Sequence, residues 1–458
     1  MKITILGGAG VRTPLLVQAL VARQPRLELR ELALMDTDGE RLGLIGGITA
    51  PLEARAGFAV TRTTDARAAL AGADFVLTTF RVGGMEARVV DERVPLAHGV
   101  LGQETTGPGG FAMAVRSIPV LLQYIERMRE LCPAAWLINF ANPAGMMAEA
   151  AARVAGWPRT VGICDAPSGM LRVIAAAAGL PAAALYLDYF GLNHLGWVRS
   201  VRCGGQDLLP RLLALLRQIG RLPGFPFDPG FVSALGMIPN EYLYYYYYAR
   251  RAVERILAAG RTRGEQVLAL NGQLFAALRQ RAGDPEGMAA AYAGYLRERG
   301  ESYMAAESGP AGPLPPQLLA AAASGGYAEV ALDLVEALAG GGDRIMVLNV
   351  PNRGAIPALD EADVVEVPVH VGAGLVQPLA VGAVPPHCLG LMLQVKAYER
   401  LTIAAAVEGS PALARQALAL HPLVPGVDLA DKIVAEYGER HGALWGLGPS
   451  REEVVSRT

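Results

Sequence analysis

An α/β fold is expected: an N-terminal Rossmann-like parallel sheet joined to a second, mainly helical α+β domain. Three observations carry this expectation. Short apolar runs alternate with segments of helical period over the first 190 residues, glycines follow the first run directly, and Ala- and Leu-rich helical stretches dominate after about residue 205. Strands alternating with helices of this length form βαβ units, whose parallel sheet is covered on both faces and binds ligands where its strands end.

KITIL, ELALMD, ADFVLTTF, AWLINFANP, TVGICDAP and YFGLNHLGW each read as a strand, with helical stretches between most of them. Further helices are expected near 207–218, 241–259, 264–281 and 389–419. The β-branched, Pro/Gly-punctuated run DRIMVLNVPNRGAIPALDEADVVEVPVHV predicts a few antiparallel strands inserted into the second domain. Residues 281–326, rich in Ala, Gly and Pro, are compatible with a mobile loop or with short helices. A chain of 458 residues suits two packed domains, and the division is drawn as 1–195 and 196–458.

Composition narrows the class. Although 52% of residues are hydrophobic, no stretch offers the roughly 18–20 apolar residues free of Gly, Pro and charge that a membrane span needs. Met1 is followed at once by KITIL, a strand rather than a basic leader with an apolar segment behind it, so a cytoplasmic protein is expected. The net charge of −2 arises without long blocks of either sign, which excludes an electrostatic footprint for nucleic acid or a membrane surface and favours small-molecule partners. Cys132, Cys164, Cys203 and Cys388 form no CxxC pair, which argues against a disulfide framework and a structural zinc knuckle.

In KITILGGAGVRTPLLVQAL the glycines follow a strand, with Thr13 as a helix N-cap and Pro14 as the first helical residue. Such a turn lets backbone approach a pyrophosphate, whose charge the helix N-terminus favours. The spacing Gly8, Gly10, Thr13 lacks the third glycine of GxGxxG, so the motif alone fits a bare turn equally well. Asp36, closing ELALMD, is placed to accept hydrogen bonds from a ribose and to repel a 2′-phosphate, which favours NAD over NADP. Asp also commonly opens turns such as DTDG, but its coupling to the glycine turn one βαβ unit earlier favours the nucleotide.

Cys164 in VGICDAP and His194 in FGLNHLGW end two sheet segments, and a thiolate with an imidazole suits manganese, iron, cobalt, nickel or zinc. Singly, each has a blander reading as buried filler or a structural histidine. Two ligands leave an incomplete shell, which substrate and water oxygens would complete. In NEYLYYYYYARRAVERIL, Tyr242 and Tyr244 through Tyr248 crowd the start of a helix, where most must be core or interface and one could be a base if cations or metal lower its pKa. The spacing does not pick which. Arg81 in TTFRVGG and Arg263 in GRTRGEQV could fork onto a phosphate, though an unselected Arg is ordinarily a solvated surface residue.

In order, LGGAGVRTP, GVLGQETTGPGGFAMAVRSIPV, NFANPAG, CDAPSG, GLNHLGW, IPNEYLYYY, VPNRGAI and KAYERLTIAAAV resemble glycoside hydrolase family 4, especially its NAD- and manganese-dependent 6-phospho-β-glucosidases. The resemblance implies a mechanism outside the paired-carboxylate scheme: NAD takes hydride from sugar C3, a tyrosine removes the C2 proton, the aglycone is eliminated, water adds at C1, and the hydride returns. It implies Cys164 and His194 as metal ligands, Tyr242 as base, and Gly7, Gly8, Gly10, Thr13 and Asp36 around NAD. Arg81, Asn142 and Arg263 would hold the 6-phosphate or sugar hydroxyls, and Glu104 would face substrate. Residues 1–195 would then bind NAD and 196–458 the substrate, a phosphorylated disaccharide or glucoside, in a homodimer or homotetramer.

Two departures stand out. Many members have GGGS and Tyr-Thr-Pro where this chain has GGAG and Val11-Arg12-Thr13-Pro14, so the pocket near Arg12 differs. Asp165 resembles the α-glucosidase subgroup, in which it is the leaving-group acid, whereas β enzymes more often carry Asn. The ETTGPGGF and IPNEYLYYY segments look closer to the β group, which is the preferred reading. The alternatives are a 6-phospho-α-glucosidase of the same family and an NAD-dependent hydroxy-acid dehydrogenase.

Overall fold

The computed structural model describes residues 1–219, 225–302 and 326–448, with Leu318 and Ala321. The chain opens with β1 (Lys2–Leu6), α1 (Thr13–Arg23), β2 (Glu31–Met35), α2 (Gly39–Glu53), β3 (Ala59–Thr63), α3 (Ala66–Leu70), β4 (Phe75–Thr78), α4 (Gly84–Ala97) and α5 (Pro108–Leu131). It continues with β5 (Trp136–Asn139), α6 (Ala144–Glu149), β6 (Thr160–Gly162) and α7 (Ala166–Ala178). Next come the hairpin of β7 (Tyr186–Leu192) and β8 (Leu195–Cys203), then β9 (Gln206–Asp207), α8 (Leu209–Ile219), α9 (Pro229–Leu235) and β10 (Ile238–Pro239). Four helices follow, α10 (Tyr244–Tyr247), α11 (Ala249–Ala258), α12 (Arg263–Gln280) and α13 (Pro285–Glu301). Last come α14 (Tyr327–Leu338), β11 (Arg344–Pro351), β12 (Val364–Gly372), β13 (Leu375–Pro378), α15 (Pro386–Glu408), α16 (Pro411–Leu420) and α17 (Val427–His441).

The expected parallel sheet is present, in the order β3-β2-β1-β4-β5-β6. β1 and β4 are buried throughout, which is why they read as continuous apolar runs, and helices cover the sheet as that burial requires. β3 was not expected from the sequence. It is an edge strand with no fully buried residue, and AVTRT lacks the apolar signal of its neighbours. Among the described residues of 281–326, α13 occupies Pro285–Glu301; residues 303–317, 319–320 and 322–325 lie outside them.

The antiparallel strands expected within the second domain form, but elsewhere. β11 pairs antiparallel with β6 through Asn349 and Gly162, and β12 and β13 follow, so one sheet of nine strands runs through both halves of the sequence. The apolar run of β12 is buried at eight of nine positions because it lies between β11 and β13 and also meets the second sheet at β7. That second sheet, ordered β10-β8-β7 with β9 on β8, contains residue 195, where the division into domains was drawn.

On the helical side α15 packs on α5 and α16, α16 on α17, and α17 on α4. The junction of α4, α5 and α17 is buried and ionic: Arg116 of α5 forks onto Asp91 of α4 with both nitrogens at 2.7 Å, and His441 Nε2 of α17 lies 3.0 Å from Asp91 Oδ1. Removing one partner of such a fully buried set leaves an uncompensated charge. Asp91→Ala is expected to destabilise the protein by about 3–5 kcal/mol, read as a lower urea midpoint, whereas the exposed pair Arg250–Glu254 should shift it hardly at all when broken.

Candidate functional site

Parallel strands deliver their ligands-in-waiting at one sheet end: Gly7 after β1, Asp36 after β2, Arg81 after β4, Asn142 after β5 and Cys164 after β6. At the glycine turn, Gly7 has φ +100°, and a Cβ on it would stand 2.5 Å from the Phe80 nitrogen. A Cβ on Gly8 would stand 2.9 Å from that of Leu34. The Gly7 and Gly8 amides both donate to the Met35 carbonyl, and the Gly10 amide donates to Gly7. The glycines therefore supply close packing rather than donors. Helix α1 begins at Thr13, one residue earlier than expected, because Pro14 is tolerated at the second helical position; Arg12 takes the cap position without a capping bond from its side chain.

Asp36 takes the turn role weighed for it and also braces the glycine turn. Its carboxylate accepts from the Ala9 amide at 3.0 Å, bracing the glycine turn, and from the Asp38 amide at 3.2 Å, shaping DTDG. Beyond β2 and β3 opens a cavity of about 460 Å³ lined by Met35, Thr37, Thr64, Asp65, Tyr124 and Arg127. A glycine turn at a helix N-terminus beside a cavity of this volume fits a dinucleotide.

The second centre joins the two sheets. β7 and β8 pair up to Leu192 and Leu195, so Asn193 and His194 form a two-residue turn, and His194 adopts φ +62°, a left-handed backbone that residues with a Cβ rarely take. This aims the ring inward: His194 Nε2 lies 3.4 Å from Cys164 Sγ, and Nδ1 lies 2.9 Å from Thr105 Oγ1. An ion about 2.3 Å from sulfur and about 2.1 Å from nitrogen, at angles from square to tetrahedral, sets the two donors about 3.1–3.6 Å apart. The pair fits a shared transition-metal ion. Among the described residues no group of three or more His, Cys, Asp or Glu could hold a metal. Burial pulls His194 down to about 4, against the pull of Glu104, and the ring is neutral and able to ligate near pH 7. Burial pushes the Cys164 thiol well up, so a cation has to displace its proton.

Tyr242 lies flat on His194, ring centroids 3.7 Å apart and planes within 8°. It occupies a 3-10 turn, Glu241–Leu243, and not the helix that the tyrosine run predicted; Asn240 caps that turn by accepting from the Tyr242 amide at 3.0 Å. Tyr244 and Tyr245 are buried, the core fate expected for most of the run. Asp165 sits half-buried at the start of α7, its carboxyl raised by burial and partly restrained by Arg12 and Arg172.

A cationic cluster surrounds Glu104. Arg81 pairs with it, and Arg88 Nη1 lies 2.8 Å from it while also pairing with Glu92. Burial by itself would raise the Glu104 carboxyl, but Arg88 and Arg81 hold it at about 2. The charge of Arg299 also acts on Glu104, and Arg299 is itself depressed by burial and by the cations Arg12 and Arg88. Arg12 lies over the Tyr327 ring, 4.6 Å from its centroid. Arg263 opens α12, its guanidinium bonded to Gln266, Ser302 and the Arg299 carbonyl, and the next amide, Gly264, donates to Glu92 at 2.6 Å. Asn142, half-buried, precedes a cis bond to Pro143. Sequence reasoning missed Arg88, Arg299, Thr105 and Tyr327: Arg88 stands four residues before Glu92 on a helix, a spacing that reads as an ordinary surface pair until both prove buried.

Comparison with known proteins matches residues 2–180 to "Family 4 glycosyl hydrolase" and 189–424 to "Family 4 glycosyl hydrolase C-terminal domain". A Bacillus subtilis (strain 168) protein named "Probable 6-phospho-beta-glucosidase" is 33% identical over 456 residues, covering 97% of each chain. The 6-phospho-β-glucosidase of Thermotoga maritima, solved with manganese, NAD+ and glucose-6-phosphate, superposes with a TM-score of 0.81 at 27% identity, over 98% of this chain and 100% of that one. A 6-phospho-α-glucosidase from gut microorganisms, solved with NAD and glucose-6-phosphate, gives a TM-score of 0.82 at 28% identity, over 98% and 99%.

The thiol–imidazole pair makes a directional prediction. Because the Cys164 proton must leave and His194 is already neutral, divalent-metal affinity should rise with pH between 6 and 8, approaching about tenfold per unit. Cobalt titrations followed by thiolate charge-transfer absorbance check this, and Cys164→Ser should abolish that band while NAD binding survives.

Proposed function

The chain belongs to glycosyl hydrolase family 4, and on that premise we propose that it hydrolyses 6-phospho-β-glucosides by NAD-dependent oxidation at C3, deprotonation at C2, elimination and addition of water. The observation that carries this reading is the stack of Tyr242 on His194, with His194 in turn 3.4 Å from Cys164: a base and a metal pair at one point. When bound, NAD supplies a reversible hydride acceptor and a divalent metal such as manganese supplies Lewis-acid charge for the oxygens on C2 and C3.

The chain's own residues do the rest. The turn at Gly7, Gly8 and Gly10, with Thr13 and Asp36, holds the dinucleotide, and Cys164 with His194 holds the metal. Tyr242 Oη takes the C2 proton, and Arg88 lies within electrostatic reach of that phenol. Arg81, Arg88, Asn142 and Arg263 receive the 6-phosphate, whose two charges compete with Glu104 for the same guanidiniums. Asp165, whose carboxyl burial raises against the pull of Arg12 and Arg172, is the group that would give a proton to the leaving oxygen. That last feature favours a second reading, the α-anomer as substrate.

Four free cysteines suit the reducing cytoplasm, and no helix among the described residues is long and apolar enough to cross a membrane. Leu393 and Val407 of α15 and Leu420 of α16 are exposed, which supports a homodimer or homotetramer that covers them.

A panel of chromogenic α- and β-glucosides, with and without 6-phosphate, tests the reading in the presence of NAD, manganese and a reductant. The phosphorylated β-glucoside should be cleaved without net NADH and with solvent deuterium appearing at C2; stoichiometric NADH would instead mark a dehydrogenase. Tyr242→Phe should lower kcat by about 100-fold or more and suppress the deuterium exchange. Arg88→Ala should raise KM for phosphorylated substrates by about ten- to a hundredfold. Because Asp165 must be protonated to act, activity should fall as pH rises through its elevated pKa, and Asp165→Asn should remove that limb.

A further inference from the structure

Beneath the site, on β12, lies a carboxylate whose hydrogen bonds go to residues flanking the reacting centre and whose charge reaches Cys164. Glu366 is 1% exposed, and both its oxygens are engaged. One accepts from Asn193 Nδ2 at 3.1 Å and Asn349 Nδ2 at 3.0 Å; the other accepts from the Tyr189 hydroxyl at 2.6 Å. Each donor leads to a different functional side chain.

Asn193 is the first residue of the two-residue turn whose second residue is His194, so its amide fixes the turn that forces His194 to φ +62°. Asn349 forms the β11–β6 pair with Gly162, where a Cβ on the glycine would stand 2.9 Å from that of Asn349, and Cys164 follows two residues later. Tyr189 passes the connection on: its hydroxyl accepts from Asn240 Nδ2 at 3.2 Å, and Asn240 Oδ1 caps the turn that carries Tyr242. Tyr189 and Asn240 are both fully buried, so water cannot substitute for these bonds at low cost.

We infer that Glu366 is a positioning residue, a single buried carboxylate that sets Cys164, His194 and Tyr242 in register with one another through Asn349, Asn193 and the Tyr189–Asn240 relay. A carboxylate suits three converging donors because both of its oxygens accept. It opposes the tendency of two separate sheets and a short turn to settle independently. Left-handed backbone at a non-glycine residue persists only where its surroundings over-determine it, and here the neighbouring side chain supplies that restraint. The inference rests on the metal-and-base reading above.

The test uses the full chain, cobalt as the metal probe and the phosphorylated chromogenic β-glucoside. Loss of an outer partner of a metal ligand ordinarily lowers metal affinity or activity about 10–100-fold. Glu366→Ala should weaken cobalt binding and lower kcat at saturating metal within that range, with NAD affinity unchanged. Glu366→Gln, which keeps one oxygen for the two Asn donors, should recover most of the cobalt affinity. The two arms should also separate: Asn193→Ala weakens cobalt binding, whereas Asn240→Ala lowers kcat and leaves cobalt affinity intact. The inference is overturned if Glu366→Ala matches the wild type in both readouts, or if Asn193→Ala and Asn240→Ala show one shared phenotype. Should Glu366→Ala fail to fold, the two asparagine variants decide by themselves. A wild-type protein without the thiolate–cobalt band would instead overturn the metal reading itself.

Discussion

The site depends on a meeting of two side chains from separate sheets. Cys164 belongs to the nine-stranded sheet and His194 to the small one, and their 3.4 Å approach exists only while the two sheets keep their relative placement. Neither residue ligates well alone: the thiol is buried and holds its proton, and the imidazole is neutral but offers one donor atom. A shared cation resolves both conditions at once, by displacing the proton and using the free nitrogen. The contact of β12 with β7, where Glu366 meets Tyr189, is what keeps the sheets in place at this point.

Electrostatics at the other wall of the site follow from one imbalance. Arg81, Arg88 and Arg299 face two carboxylates, Glu104 and the Glu92 that Arg88 also pairs with, so the wall retains positive charge even with every observed pair formed. Arg12, which stands where many family members have tyrosine, adds a fourth cation on the side of Asp165 and Tyr327.

Much of this was legible in the sequence, for identifiable reasons. Five of the six parallel strands announce themselves because burial on both faces makes them continuous apolar runs; β3, exposed at the edge, carries no such run. The glycine turn and Asp36 are local features, and local geometry follows from local residues. The 3.4 Å approach of Cys164 and His194 is long-range, and what marked those residues was the resemblance of CDAPSG and GLNHLGW rather than any spacing between them. The destination of β11–β13 was illegible for the same reason: the β-branched pattern specifies strands, but nothing in it specifies that Asn349 should pair with Gly162, some 190 residues earlier. The 3-10 turn at Tyr242 was hidden by the tyrosine run, whose composition says helix or core and whose start is set by Asn240.

The completion of the large sheet by β11–β13 bears on how the molecule comes to be made. While the chain emerges from the ribosome, the flank of β6 remains an uncovered edge until residues beyond 350 are available to close it. The nucleotide-binding half is therefore not a detachable module that could be transplanted or expressed by itself without leaving a sticky border. Closing that border requires a contact of high sequence separation, which is slow to form. The last strands to be synthesised thus act as the seam of the whole sheet, and the same event that protects its border brings Glu366 into place beneath Cys164 and His194.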